Sequence, residues 1–348
     1  MINNLPTEIL QCILVAAVRP DWPWPESSMD LGDRLSMAPF LLSTICRLWR
    51  DILFNNSTVW QLVYLSGLMQ HWRFDRAEAV MKHAKENTLQ LVIDASAAAE
   101  AEHPRFLSQL HSLFTTHRDR WSRVHIILPA VAGRLFVGSL FHSQVVLPNL
   151  EELMVLPTTG RRGKVSSITG VDIRTQALQL PSMPMLRRWD VHALAVAPEH
   201  NARLSSLRFL SYNVTGTTET LLWKTLESCP NLVSLDIYFA AGPKQWTSQI
   251  TILPTRPIYL SKVTQLAIFG FWNNSDWLHY INLPKVQTLT VSIESCNFMQ
   301  PLFTKISGQI QHLTLARIDG TTYSMIGDTA QRYFRNLSAA RSRRSSVI

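Results

Sequence analysis

The chain has 348 residues, of which 46% are hydrophobic and 17% charged, a composition that excludes a disordered polymer and is long enough for one large or two modest cores. No run of about eighteen uninterrupted apolar residues occurs, so no membrane span is expected; the chain does not open with a basic segment before a long apolar core, so secretion is not expected either. The formal charge of +8 invites a nucleic-acid reading. Five arginines after Asp328 (Arg332, Arg335, Arg341, Arg343, Arg344) and the loop cluster Arg161-Arg162-Gly163-Lys164 carry much of it, without the interleaved aromatics of a single-strand groove.

The first predicted element is an amphipathic helix opened by Leu5-Pro6-Thr7-Glu8-Ile9-Leu10. Proline precedes the first turn, Thr7 is placed to cap it, and Glu8 sits at the positive end of the helix. Ile9, Leu10, Ile13, Leu14 and Ala17 recur at helical spacing and are expected to form one face. A second helix is expected through Leu41, Leu42, Ile45, Cys46, Trp49, Ile52 and Leu53, with Arg47, Arg50 and Asp51 on its solvated side. With Val59-Trp60 these helices close a unit too short to be a robust domain alone. Such a unit suits docking on another helical protein through apolar surface that it cannot bury itself.

This pair of segments resembles an F-box, the adaptor-binding module of Skp–cullin–F-box ubiquitin ligases. The family's Leu-Pro opening falls on Leu5-Pro6, its acidic-aliphatic run on Glu8-Ile9-Leu10 and its Ile-Leu pair on Ile13-Leu14. The Val-Cys-basic-x-Trp signature falls on Ile45-Cys46-Arg47-Leu48-Trp49, and the closing Trp on Trp60. The resemblance covers roughly the first sixty residues, within an F-box-like module expected over 1–66, and the second signature is its more specific half. It departs from the family in the link between the helices, where an insertion at 19–38 carries Pro20-Asp21-Trp22-Pro23-Trp24-Pro25. Insertions of this kind resemble those of the expanded F-box families of mushroom-forming fungi. The resemblance implies a Skp-type adaptor as partner and, through it, a cullin ligase. It also implies an adaptor surface at Leu5, Pro6, Ile9, Leu10, Ile13, Ile45 and Cys46, with Trp49 and Trp60 in the core.

Beyond the module, Phe74–Lys85 and Pro104–Thr116 are predicted helices flanking a strand at Leu89–Ile93, with Ala95–Ala101 as a connection. A short pattern then returns: apolar, two others, apolar, one other, apolar. It appears at Trp121-Val124-Ile126, Leu150-Leu153-Val155, Leu186-Trp189-Val191, Leu207-Leu210-Tyr212, Leu232-Leu235-Ile237, Val263-Leu266-Ile268, Val286-Leu289-Val291 and Ile310-Leu313-Leu315. The last two apolar positions lie two apart, as one face of a strand requires. Leu147-Pro148-Asn149, Cys229-Pro230-Asn231 and Leu283-Pro284-Lys285 lead into three copies. One strand with its covering connection cannot hide its apolar face, whereas stacked copies bury a continuous core.

These copies resemble leucine-rich repeats. The expected fold is therefore α/β: an N-terminal helical F-box, then an irregular leucine-rich-repeat solenoid over 67–330 with a parallel sheet on its concave face, then a basic tail at 331–348. The family's asparagine is missing; its place is taken by Thr158, Leu194, Thr215, Ala240, Phe271, Glu294 and Ile318. The backbone amides of an asparagine ladder must find other partners.

Catalytic patterns are absent: no Gly-x-Ser-x-Gly, no His-Glu-x-x-His, no Gly-x-Gly-x-x-Gly. Cys12, Cys46, Cys229 and Cys296 form no Cys-x-x-Cys, which suggests neither zinc nor a redox pair and fits a reducing compartment, cytoplasm or nucleus. No enzyme, cofactor or metal is expected. Residues between the apolar positions should point away from the core, which nominates Arg123, His125, Glu152, Arg188, Asp190, His192, Phe209, Tyr238, Phe269 and His312, with Met154 and Thr314, as a surface for a protein substrate. The expected function is the substrate-recognition subunit of such a ligase. Two alternatives remain open: a repeat scaffold that no longer engages a ligase, motivated by the insertion, and a nucleic-acid-associated protein using the basic tail.

Overall fold

The computed structural model describes residues 5–18, 37–66, 74–94, 103–128, 146–157, 183–191, 204–214, 219–239, 254–269, 276–292, 300–306, 308–316 and 322–326. The chain divides into two compact units, one of Met1–Leu140 with Val145–Thr158 and one of Phe141–Gln144 with Thr159–Ile348. The insertion (save its last two residues, 37 and 38), the cluster at 161–164 and the basic tail lie outside the described residues.

The first unit begins with α1 (Thr7–Val18), α2 (residues 37–43) and α3 (Arg47–Asn55), then a 3-10 turn at Ser57–Trp60. Pro6 lends its carbonyl to the amides of Ile9 and Leu10, each at 3.0 Å, so Thr7 is already inside the helix. The predicted face of α1 divides in two. Leu10, Leu14 and Val18, four residues apart, are buried, while Ile9, Ile13 and Ala17 form a parallel stripe that is exposed. The expected single second helix is broken. Ser43 and Thr44 turn their hydroxyls back on the carbonyls of Phe40 (2.6 Å) and Leu41 (2.7 Å), a local bonding that competes with helix continuation. Cys46 is extended, and α3 restarts after it. Arg50 Nε then donates to the stranded Ser43 carbonyl at 3.1 Å.

Trp60 holds this region together. It is 1% exposed and donates Nε1–H to the Leu53 carbonyl in the last turn of α3, at 2.9 Å. That satisfies one of the carbonyls a helix end leaves open. Phe40, Phe54 and His83 pack their rings around it at 4.7–5.3 Å. Trp121 repeats the device on the Phe114 carbonyl, at 3.0 Å and the same spacing of seven residues.

Four strands follow: β1 (Leu62–Ser66), β2 (Leu89–Asp94), β3 (Trp121–Leu128) and β4 (Glu152–Pro157), with α4 (Phe74–His83) and α5 (His103–Thr116) in the connections. Each strand runs parallel to its predecessor. Connections this long permit parallel pairing, which a tight hairpin does not. Leu62–Ser66, assigned from sequence to the helical module, is the first strand of the sheet.

The second unit repeats the arrangement with β5 (Arg188–Val191), β6 (Phe209–Val214), β7 (Ser234–Phe239), β9 (Gln265–Phe269), β11 (Thr288–Ser292) and β12 (His312–Ala316), all parallel. The strand β13 (Thr322–Ile326) runs antiparallel to β12. A separate small sheet pairs β8 (Ile258–Tyr259) with β10 (Ile281–Asn282). Helices Glu219–Glu227 and Gln300–Ile306 lie in the connections. The protein is thus α/β, with ten described strands in parallel array, four in the first unit and six in the second.

Register aligns the sequence pattern into columns. Leu210, Leu235, Leu266, Leu289 and Leu313 are successive partners, as are Tyr212, Ile237, Ile268, Val291 and Leu315, and all are buried. A further buried position recurs ahead of the pattern, and the entries read from sequence at Leu147, Cys229 and Leu283 supply half of its occupants. Leu147, Met183, Leu204, Cys229, Leu260 and Leu283, three residues before the pattern begins, are also buried. In five of these six turns the carbonyl of this residue accepts the amide of the first apolar residue, at 3.0–3.4 Å. Burial pushes the Cys229 thiol up to about 12, so it serves as a small hydrophobe there.

At the lead-in to each strand of the second unit one carbonyl accepts two successive amides of the next copy. Arg187 receives Arg208 and Phe209, Arg208 receives Val233 and Ser234, Val233 receives Thr264 and Gln265, Thr264 receives Gln287 and Thr288, and Gln287 receives Gln311 and His312. Side chains add to these links. Asn149 donates to the Asp119 carbonyl and Asn231 to that of Ser205, each reaching back to the preceding copy. The seven positions of the missing family asparagine all lie outside the described residues.

Candidate functional site

Two surfaces collect the sequence-nominated residues. In the helical region, Leu5 stands just ahead of α1, Ile9 and Ile13 lie four apart on one side of it, and Leu41, Ile45 and Leu48 follow one another along α2, the turn and α3. All six are exposed, Ile9 at 48% and Ile45 at 59%. Six of the ten large apolar side chains exposed among the described residues thus fall between residues 5 and 48. The core beneath is complete without them: Leu10, Leu14, Val18, Trp49, Ile52, Leu53, Val59 and Trp60 are buried. Pro6 is exposed and Cys46 half-buried.

Leu10 requires a correction. It is 0% exposed, because the one-residue step from Ile9 turns it about 100° around the helix axis and into the module. Leu41 and Leu48, counted from sequence within a helix face and a signature, stand instead at the surface. Around them Arg47, Arg50 and Asp51 are exposed, with Arg47 and Asp51 4.0 Å apart as an i,i+4 pair.

The other nominated residues lie, within each unit taken by itself, on the strand face opposite the buried side chains. In the first unit, Arg123 and Glu152 are register partners and form an ion pair at 3.5 Å, with His125 Nε2 3.9 Å from the other carboxylate oxygen of Glu152. In the second unit, Arg188 stands over the Phe209 ring at 4.1 Å and reaches the Asp190 carboxylate at 3.3 Å. Tyr238 and Phe269, register partners on β7 and β9, stack with centroids 4.8 Å apart and planes 18° from parallel.

Asp190 is 6% exposed and is therefore not an open contact residue. Its carboxylate is used within the chain, holding Arg188. Phe209, Tyr238, Phe269, Met154 and Thr314 are half-buried, and His312 is exposed. His125 belongs to the first unit and His312 to the second, and His192 lies outside the described residues. Sequence reading missed Ser211 and Asp236, which continue the row of Asp190 across β6 and β7. Their signal was present, a polar residue between two apolar ones on each strand.

Among the described residues no group of three His, Cys, Asp or Glu side chains is placed to hold a metal ion, and no helix is long and apolar enough to cross a membrane. What both surfaces offer is contact area: apolar side chains on helices, and rings with fixed charges on a sheet. No family model matches this chain, and no curated protein matches it.

Proposed function

We propose that the protein is a substrate receptor of a Skp–cullin–F-box type ubiquitin ligase. The observation that carries the reading is two sets of exposed apolar side chains, Leu5, Ile9 and Ile13 at α1 and Leu41, Ile45 and Leu48 from α2 to α3, on a helical unit whose core is already buried. Exposed apolar side chains gathered in one module mark surfaces that a partner covers, and helices commonly dock in apolar grooves through such rows. The Leu-Pro opening and the Ile45-Cys46-Arg47-Leu48-Trp49 signature supply the identity of the partner, a Skp-type adaptor. The parallel strands, with rings and charges on their outward face, supply a rigid platform for a protein substrate. The receptor contributes no nucleophile. It acts by holding a substrate lysine near a charged conjugating enzyme, which raises the effective concentration of one for the other.

Co-purification with a Skp-type adaptor tests the reading. Wild-type chain retains the adaptor, while a Leu5→Ala/Ile9→Ala variant with an unchanged circular-dichroism spectrum does not. Equal recovery by both, or recovery by neither, contradicts it.

A further inference from the structure

We infer that the strand-entry edge of the second unit binds an extended, acidic segment of another protein that carries apolar residues between its carboxylates. The lead-in turns of β5, β6, β7, β9, β11 and β12 fall on one edge of the sheet, because these strands run parallel. The six turns, at 183–187, 204–208, 228–233, 260–264, 283–287 and 308–311, contain no Asp or Glu. Arg187, Arg208, Lys262 and Lys285 stand on them, all exposed. The described lead-in turns of the first unit differ. They carry both signs: Arg118 pairs with Asp119 at 3.4 Å, and Glu151 stands in the next copy.

The basic residues fall in two neighbouring pairs. Arg187 and Arg208 each follow the first apolar residue of successive copies, and the Arg208 amide donates to the Arg187 carbonyl at 2.8 Å. Lys262 and Lys285 each precede that residue in the copies of β9 and β11, which are also neighbours. Paired strands lie about 5 Å apart, so each pair sets like charges side by side with no acid in these turns to offset them. An anion arriving from solvent meets two cations at once. Among the described residues neither arginine side chain makes an ion pair or a hydrogen bond. Lys262 bonds to an uncharged group, the Asn231 carboxamide oxygen.

The apolar residues of the edge choose between macromolecules. Met185 and Val233, on the turns of β5 and β7, are 43% and 37% exposed, and Tyr259, just ahead of the β9 turn, is 68% exposed. With Val146 of the first unit, they account for every large apolar side chain exposed outside the helical region among the described residues. Met185 and Val233 offer nothing to a phosphate backbone, and one ring is no platform for successive bases. Both suit the apolar side chains of a peptide. The edge is also a line: its six turns span about 24 Å at the spacing of paired strands, the length of about seven extended residues. It is distinct from the strand face assigned above to the substrate, and its charge argument does not rest on the ligase reading.

Fluorescence anisotropy of labelled peptides of about eight residues, titrated with full-length chain, tests this. The peptides alternate Glu with Val, Gln with Val, or Glu with Ser. The Glu-Val peptide is expected to bind about tenfold tighter than the Gln-Val peptide, the margin of two exposed ion pairs, and to weaken as salt is raised. Arg187→Gln/Arg208→Gln removes that margin at an unchanged circular-dichroism spectrum, since both side chains lie at the surface. Val233→Ser removes the advantage of Glu-Val over Glu-Ser and leaves Glu-Ser binding as it was. No preference for Glu-Val over Gln-Val overturns the proposal. So does a preference that survives Arg187→Gln/Arg208→Gln, which would place it on another basic segment such as the tail. Labelled single-stranded DNA that binds more tightly than the Glu-Val peptide, and loses that affinity in the double variant, assigns the edge to nucleic acid and overturns the proposal as well. Adaptor retention, measured on the same samples, depends on Leu5 and Ile9 and not on Arg187 or Arg208, so failure here is separable from failure of the ligase reading.

Discussion

The Asn231 carboxamide donates to the Ser205 carbonyl 2.6 Å away, across the turn that joins one strand unit to the one before it. Asn149 makes the equivalent bond to Asp119 at 2.5 Å. Both asparagines follow a proline, which cannot continue the preceding helix or turn and presents the next residue at the surface. Lys262 Nζ in turn reaches Asn231 Oδ1, so the link is handed on to the following copy. Asn231→Ala removes both of these exposed hydrogen bonds and is expected to cost about 0.5–1.5 kcal/mol. Asn231→Asp, which cannot donate, is expected to cost no less. Urea unfolding should show a lowered midpoint at unchanged slope, and an unchanged midpoint for both variants would show that the bond carries no stability.

Trp60 separates packing from hydrogen bonding. Trp60→Phe keeps a ring between Phe40, Phe54 and His83 and removes the Nε1–H donor from the Leu53 carbonyl, which still accepts the Asn56 amide at 3.2 Å, a loss of about 0.5–1.5 kcal/mol. Trp60→Ala also opens a cavity and is expected to cost about 3–5 kcal/mol. Thermal unfolding followed by tryptophan-independent circular dichroism should rank wild type, Phe and Ala in that order.

His83 makes the helical region sensitive to acid. Burial, and then the neighbouring Lys82 charge, lower its pKa below the ordinary 6.5, and its ring lies 4.7 Å from both Phe54 and Trp60. His117 is lowered too, by burial and then by Arg120. A histidine lowered in the folded state binds fewer protons than the unfolded chain, so stability rises with pH between the folded and unfolded pKa values. The contribution is therefore complete above 6.5 and is lost as pH falls from there through the folded pKa. Melting temperatures should drop on acidification below pH 6.5, and His83→Gln should flatten that slope. A slope identical in the variant would remove His83 from the account.

Adjacent residues on α1 should behave oppositely. Leu10→Ala empties a fully buried site and is expected to cost about 2–5 kcal/mol. Ile9→Ala alters an exposed side chain, and surface changes usually stay within about 0.5 kcal/mol. Adaptor retention should reverse that order once Leu10→Ala is compared at a temperature where it remains folded. If Ile9→Ala destabilises as much as Leu10→Ala, the stripe is core and not a docking surface.

Thiol reactivity should follow burial. Cys12 is exposed and Cys229 buried, with the latter's thiol held about at 12 and so protonated at neutral pH. A thiolate is the reactive species. Alkylation of native protein at pH 8, mapped by peptide mass spectrometry, should mark Cys12 early and Cys229 only after unfolding. Bound adaptor should then slow the labelling of Cys12, which lies on α1 between the Ile9 and Ile13 turns.

Strand columns were legible because period-two alternation is a local property: Leu210 and Tyr212 need only their own strand to declare which side is apolar. The recurring entries at Leu147, Cys229 and Leu283 were legible too, but the burial of their first residues was not, since a single apolar residue in a turn has no periodic partner in its own copy. The break at Thr44-Ile45 was hidden for a different reason. The apolar spacing runs through it unbroken, and only the hydroxyl-to-carbonyl bonds of Ser43 and Thr44 decide against one continuous helix.

From the amino-acid sequence alone came the α/β class, the parallel strands with their long connections, and the stretch of helix with more apolar residues than it has places to bury. Those follow from spacing along the chain, which each residue type enforces on its immediate neighbours. Tertiary packing alone decided that Ile9 faces out and Leu10 in, and that Asp190 is committed to Arg188. Such choices depend on which side chain arrives from a distant strand or helix, and no local pattern carries that information.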